Sequence, residues 1–369
     1  MPTILIFFLI FSVLIISHEF GHFITARRVG MRVLEFGFGF PPRLFSWKRR
    51  GTEYTLNAIP FGGFVRILGE DGPEENPPSG HPDFGAFSLT AQAFVIAAGV
   101  LFNLALAWIL LSVGFATGAP ASFDEKYAAY IHDARIIVSN VGINTPAEGV
   151  GIKTGDTIIS IKEGDDLIRV TESLDTKAIA DFIDKAGEGE VLLTLKRGSE
   201  EIKIEVVPEA NIVPGRFAIG ITLDSIGTMK LPLHLAVWEG LRRTIDLSYL
   251  TLSAIGGLVY GALSGGADLS TLAGPVGIYT IVGEAGGLGF SYLLSLTALL
   301  SISIALINIL PFPALDGGRL FFLLIEALRG APLNPRFVKI SNLFGFGLLL
   351  LIMVLISYHD FVRLGFLGT

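Results

Sequence analysis

Two histidines four residues apart, in Ser17-His18-Glu19-Phe20-Gly21-His22, open the chemical reading of this chain. On a helix, positions i and i+4 share a face, so the imidazoles of His18 and His22 can reach one metal ion. Glu19 points slightly to the side, where it can serve a metal-bound water as base. A HExxH pattern by itself occurs by chance, and its surroundings sharpen it. Residues 3–16 (TILIFFLIFSVLII) carry no charge, and ionisable groups inside a membrane helix are costly enough to indicate function. A catalytic zinc takes three protein ligands and keeps a position for water. The chain has no cysteine, so the third ligand must be His, Asp or Glu. The candidate is Asp316, in Asn308-Ile309-Leu310-Pro311-Phe312-Pro313-Ala314-Leu315-Asp316-Gly317-Gly318-Arg319, where prolines end an apolar helix. The competing reading is that Asp316 only caps the helix beginning at Gly317. Asn308 could donate a hydrogen bond to a peptide carbonyl or its oxyanion, or could hold the broken backbone.

The rest of the chain must position these residues in a bilayer. With 369 residues, 51% of them hydrophobic, and a mean hydropathy of +0.62, the class is a polytopic membrane protein with an extramembrane insert. A net charge of −7 lacks the basic footprint of nucleic-acid binding. The first apolar run lacks a basic leader and a small-x-small cleavage site, and it carries the metal motif, so it is expected to be a retained span.

That span is expected over about Thr3 to Phe23, and Arg27, Arg28 and Arg32 after it place its end in the cytoplasm. Residues 33–68 read as a strand-rich loop at the membrane. Val33–Phe40 is stopped by Pro41-Pro42, Trp47–Gly51 forms a basic turn, and Glu53–Ile59 and Gly62–Ile67 form further strands. Such backbone must line a wet cavity or be buried in protein, and it could pair with an extended substrate at Gly62 and Gly63 or be structural only. The acidic run from Glu70 to Glu75, with Pro77, Pro78 and His81, reads as a solvated loop. A second span covers about Ala91 to Thr117. Gly99 and Asn103 share one of its faces, with helix packing the favoured role and a contact to the site the other.

From about Phe123 to Pro208 the pattern becomes soluble α+β. Strands are expected at Ile158–Ile161, Val191–Lys196 and Glu201–Val207. A helix capped by Asp175 should bury Ile179, Phe182, Ile183 and Ala186. Residues 231–263 carry Glu239, Arg242, Arg243 and Asp246, a pattern that suits an amphipathic interfacial helix better than a span. Two further spans are expected, about Phe290 to Leu310 and Asn342 to Ser357. His132, His234 and His359 stand alone and read as surface or packing residues.

The HExxH span and the Asn308–Gly318 stretch together resemble the site-2 protease family of intramembrane zinc metalloproteases, in the order seen in its RseP-type bacterial members. Gly51-Thr52-Glu53-Tyr54, Ile59-Pro60-Phe61-Gly62-Gly63-Phe64-Val65 and Leu272-Ala273-Gly274-Pro275-Val276-Gly277 are similar to further stretches of that subgroup. Thr145-Pro146-Ala147-Glu148 and Gly151–Ile158 resemble its PDZ domain. There is room for one PDZ domain where the enteric prototype has two, and Val100 follows Ala98-Gly99 where members often carry proline.

The resemblance implies a polytopic α-helical membrane protein of about four spans, with a membrane-associated β-hairpin loop and an inserted PDZ domain. The parts would be residues 1–120, with the β-loop at 33–68; a PDZ domain at 121–210; a linker with amphipathic helices at 211–289; and a C-terminal membrane part at 290–369. It implies Zn2+ held by His18, His22 and Asp316, Glu19 as general base, and a substrate-binding part for Asn308; Gly62, Gly63 and Asn103 are further candidates for substrate contact. Substrates would be single-pass membrane proteins, such as anti-sigma factors or remnant signal peptides, with a peptide or protein partner at the PDZ domain. The site would lie in the bacterial inner membrane, with both termini and the PDZ domain outside and residues 25–90 and 314–340 on the cytoplasmic side. The alternatives are a zinc carrier or sensor with the same ligands, and a non-catalytic PDZ scaffold.

Overall fold

A computed structural model describes residues 2–70, 80, 82–122, 125–142, 144–170, 176–198, 200–265 and 273–363. The chain forms two compact units, residues 1–114 with 233–369, and residues 115–232.

In the first unit, α1 (Thr3–Val29) runs unbroken through the HExxH residues and stops at Gly30, whose φ of 92° is the left-handed turn that glycine enters without strain. Arg27 and Arg28 occupy its last turn, where cations complement the helix dipole. Next come β1 (Val33–Arg49) and β2 (Thr52–Ile67). Each is bent and pairs twice. Phe36 faces both Val65 and Tyr54, while Trp47 also faces Tyr54. Two bent strands therefore build a sheet of four strand segments in the order 63–67, 33–38, 53–56, 45–49. The expectation of separate short strands is corrected here: Pro41-Pro42 lies within β1 at its bend, and pairing resumes at Arg43. The core beneath joins Phe23 and Ala26 of α1 to Val33, Ile67, Phe84, Val95 and Ile96. Helix α2 (Leu89–Thr117) packs antiparallel to α1, close enough that a Cβ on Gly21 would meet the Ala98 carbonyl.

The second unit contains β3 (Ala119–Ser122), β4 (Ile131–Val141), α3 (Pro146–Gly149), β5 (Thr157–Glu163), β6 (Asp166–Arg169), α4 (Thr176–Ala186), β7 (Val191–Arg197), β8 (Glu200–Val206), β9 (Glu209–Val213), β10 (Arg216–Ala218) and β11 (Ile221–Met229). Its main sheet has the order β3-β11-β4-β5-β7-β8, with β6 beside β5. Ile136, Val138, Ile158, Ile161, Leu193 and Leu195 form the core, covered by Ile179 and Ile183 of α4. The expected strands and helix are present, while the Asp175 cap and Ser199 of the hairpin turn lie outside the described residues. A charged tie closes one end. Arg197 donates from Nε to Asp156 Oδ1 and from Nη2 to Asp156 Oδ2, both at 2.7 Å, and the Asp156 side chain is 1% exposed. Burial pushes the Asp156 carboxyl up, but the Arg197 fork and the Lys153 N–H outweigh it and hold it below the usual carboxylate range.

The chain re-enters the first unit through α5 (Leu233–Ser264), followed by α6 (Pro275–Leu288), α7 (Phe290–Asn308), α8 (Asp316–Arg329) and α9 (Pro335–Arg363). Among the described residues, five helical segments are long and apolar enough to cross a membrane: α1, α2, Leu233–Ala262, α7 and Pro335–Val362. The third is the segment expected to be amphipathic, and it is the least apolar of the five. Helix α6 starts with Pro275 and has no side-chain cap of its own. The Gly277 N–H instead donates to Asp360 Oδ2 of α9 at 2.8 Å, and Gly274 and Gly277 leave the space that this fully buried carboxylate fills.

Candidate metal centre

Helix α1 carries His18 and His22 one turn apart toward α2 and the start of α8. Asp316 arrives there because the prolines at 311 and 313 end the run of α7 and the chain turns before α8. Asp316 Oδ2 lies 3.1 Å from His18 Nε2 and 3.3 Å from His22 Nε2, and the two imidazole nitrogens are 3.2 Å apart. The turn is cut to fit. A Cβ on Gly317 would meet the carbonyls of Ile309 and Leu310, and one on Gly318 would meet that of Phe312. Asp316 is the first residue of α8 and makes no side-chain capping bond, so the helix-cap alternative has no support in the geometry.

The two histidines are held differently. His22 Nδ1 lies 2.9 Å from the Val95 carbonyl of α2. A carbonyl only accepts, so the proton sits on Nδ1 and the Nε2 lone pair faces the cluster. His18 Nδ1 is buried with no hydrogen-bond partner among the described residues. Glu19 shares the charge environment of both histidines and Asp316, and the Val65 backbone amide of β2 faces its carboxylate.

The remaining expected site residues divide. Gly63 is beside the centre, since a Cβ there would touch Glu19 Cγ at 3.0 Å and Ile15 Cγ2 at 2.9 Å. Gly62 instead packs against the Phe40 ring with a φ of 91°. Asn103 is fully buried, its amide unpartnered, while its backbone carbonyl accepts from Ser301 Oγ of α7 at 2.8 Å. Asn308 ends α7 half-buried and makes no side-chain hydrogen bond to the described residues. Gly99 lies against the imidazoles themselves: a Cβ there would collide with His22 Nε2 and lie 2.7 Å from His18 Cε1. Its spacing from Asn103 flagged a packing face, and what that face packs against is the pair of imidazoles. Glu70, expected in a solvated loop, is instead part-buried and ion-paired with Arg319 of α8 at 2.6 Å. Residues 71–79 and His81 lie outside the described residues.

The donor set can be tested against a metal. Zinc ligands at about 2.0–2.1 Å in tetrahedral array stand roughly 3.3 Å apart. The triangle of 3.1, 3.2 and 3.3 Å matches that spacing. Asp316 Oδ2 is buried and receives no well-aligned hydrogen bond, so its charge faces the space between the imidazoles. Among the described residues this is the one His/Asp/Glu group of three close enough to hold an ion.

Comparison with known proteins decides the family. The model of peptidase family M50 matches residues 6–352. The chain belongs to this family, the site-2 proteases. The zinc metalloprotease RasP of Oceanobacillus iheyensis is 30% identical, with 99% of this chain and 100% of that protein covered. The regulator of sigma-W protease RasP of Bacillus subtilis is 29% identical, with 98% and 99% covered. The RasP zinc metalloprotease of Geobacillus kaustophilus is 27% identical, with 98% of each covered. This M50 member is a zinc-dependent protease with membrane helices. Its metal is zinc.

Proposed function

We propose that this protease cuts single-pass membrane proteins within the bilayer, with His18, His22 and Asp316 holding zinc and Glu19 as its base. The observation that carries the reading is the convergence of three part-buried donor side chains at zinc-like spacing with a carboxylate and a strand edge beside them. Bound zinc polarises the scissile carbonyl and lowers the pKa of its water. Glu19 accepts the proton of the attacking water and delivers it to the leaving amine. Among the described residues, 63–67 pair as a strand only with 33–38, so no strand covers the other edge, next to Glu19. A substrate helix hides its carbonyls in its own hydrogen bonds, and pairing with this edge would offset the loss when it unwinds. Asn308 could bind substrate from the end of α7. The zinc-carrier and idle-scaffold alternatives leave Glu19 without a task.

Packing directions support four crossings. Gly283 and Gly286 of α6 lie by Thr3 and Ile6 at the start of α1, and the site joins α1 to the far end of α7, so α1 and α7 run parallel. Helix α2 runs the other way, and so does α9, whose Gly345 meets Pro313 while Asp360 meets Gly277. Both ends of α6 then lie at the outer side. Helix α5 starts there too, with Trp108 Nε1 of α2 donating to the Val237 carbonyl at 2.9 Å. A crossing by α5 would need non-helical backbone to return through hydrocarbon, where its polar groups go unsatisfied. Arg27, Arg28 and Arg32 put the metal end of α1 in the cytoplasmic half of a bacterial inner membrane, with both termini and the inserted unit outside.

The second unit is read as a PDZ domain. A cavity of about 320 Å3 lies between α4 and the start of β11, lined by Thr176, Ala180, Ile183, Ile221 and Leu223. β11 pairs with β3 only from Ile226 to Met229, so Ile221–Leu223 keeps an open edge suited to a peptide strand. Substrates of the anti-sigma class or remnant signal peptides fit this reading, and the sigma-W regulator among the relatives favours the former. The test uses purified protein in detergent with a single-pass model substrate. Cleavage should occur with untreated protein only, and be lost with a zinc chelator and in Glu19→Gln, which keeps its zinc. Equal cleavage by all three would overturn the assignment.

A further inference from the structure

The proposed zinc ligands come from two segments far apart in sequence, and an ion pair joins them one helical turn from Asp316, beside the packing of Leu320 and Leu323 of α8 on the cluster that holds the end of α1. Arg319 follows Asp316 by three residues on α8, so the two share a side of the helix. Its Nη1 donates to Glu70 Oε1 at 2.6 Å and its Nη2 to the Glu70 carbonyl at 2.9 Å. The guanidinium also stands 5.9 Å from the centre of the Phe84 ring. The partner side is rigid. Glu70 sits in the turn that closes β2, where Leu68 is fully buried, its N–H donating to the Arg32 carbonyl and its own carbonyl accepting from the Phe84 N–H. Phe84 is packed in the same cluster as Phe23, Ala26 and Val95. That cluster holds the last turns of α1, which bears both histidines, and Val95, whose carbonyl orients His22. On the other side α8 is exposed along Phe321, Leu324 and Leu328, and its first turn has no capping side chain.

We propose that Arg319, gripped by Glu70, is a positioning residue for the zinc site: it sets where Asp316 stands relative to His18 and His22. The fork shape matters, because two parallel N–H donors fix the helix in rotation as well as distance, which a lysine ammonium cannot do. The same contact ties the proposed metal ligand to the end of β2, the strand whose Gly63 lies beside Glu19. The inference rests on Asp316 being a ligand.

The test is zinc affinity, measured on the full-length protein in detergent by competition with a chelator of known affinity, without substrate. Residues that orient metal ligands typically cost about 10–100-fold in affinity when changed. Arg319→Gln should weaken zinc binding by about tenfold or more, Arg319→Lys by less, and Glu70→Gln by less still, since the Glu70 carbonyl remains. The Glu70→Gln/Arg319→Gln pair should be no worse than Arg319→Gln alone, because both remove one linkage. If Arg319→Gln and Glu70→Gln lower the melting temperature while zinc affinity stays within twofold, the pair is only a brace and the inference is overturned. Should Arg319→Gln fail to fold, Glu70→Gln decides by the same criterion. Asp316→Ala separates the two levels: unchanged zinc affinity there refutes the ligand assignment, whereas loss there with none in the Arg319 and Glu70 variants refutes only the positioning role.

Discussion

A single methyl group at Gly99 should disable the metal site. In Gly99→Ala the new carbon would collide with His22 Nε2 and lie 2.7 Å from His18 Cε1. Ordinary carbon contacts need about 3.5–4.0 Å, so something must retreat by about 1 Å. The helices cannot part cheaply, because α1 and α2 already touch at Gly21 and Ala98 one residue away on each. Nor can His22 swing freely, since its Nδ1 is bound to the Val95 carbonyl one turn before Gly99 on the same helix. Overpacking of this kind costs about 1–3 kcal/mol, and metal sites tolerate only about 0.2 Å in ligand distance. At about 1.4 kcal/mol per tenfold, the strain falling on the ligands corresponds to roughly 10–100-fold weaker zinc binding. The assay is chelator competition with a melting curve and substrate cleavage measured on the same preparation. Gly257→Ala, in α5 with nothing within 4 Å of the new carbon, is the control and should be neutral or slightly stabilising. The reasoning is refuted if Gly99→Ala binds zinc within twofold of wild type and melts at the same temperature.

Other outcomes follow from neighbouring features. Glu19→Gln should lower cleavage by about 10²–10⁴-fold while zinc content stays stoichiometric, as measured by turnover and metal analysis. Gly318→Ala should lose zinc without touching a ligand, because its methyl would strike the Phe312 carbonyl and push α8 off its turn; metal content after dialysis reads this. In the inserted unit, Arg197→Met should destabilise by leaving the buried Asp156 carboxylate with only the Lys153 N–H among its described partners, checked by hydrogen exchange across β5 and β7. The folded Asp156 pKa is depressed, so its contribution is present above about pH 4, where the unfolded carboxyl titrates, and disappears as pH falls through the lower folded value. Wild type should therefore lose stability in acid more steeply than Arg197→Met.

How far the chain could be read in advance follows the range of each contact. His18, Glu19 and His22 announce themselves because one helical turn relates them, and Asp316 because a proline-broken apolar helix exposes an acid. The alternating strands and the buried face of α4 were legible for the same local reason. The hairpin was not, because the order of its four strand segments depends on which residues meet twice, and Pro41-Pro42 reads the same at a stop as at a bend. Glu70 was misread since nothing in an acidic run reveals an arginine about 250 residues later. Gly99 carried the right signal, a small residue on a packed face, without naming the imidazoles it faces. Helix α5 sits between classes: its charges argue for an interface and its length for a span, and the proposed four crossings rest on the direction of its neighbours.

The separation of the proposed ligands also sets an order of events in the cell. His18 and His22 emerge early, while Asp316 follows about 300 residues later, an interval of roughly 15–60 s at bacterial elongation rates of about 5–20 residues per second. The first two helices and the hairpin can assemble in the bilayer during that time with two donors and no third. A newborn chain therefore has no complete hydrolytic centre while other proteins are being inserted around it. Proteolytic competence is withheld until α7 and α8 are in place, so the gene order of the ligands acts as a built-in delay that needs no propeptide.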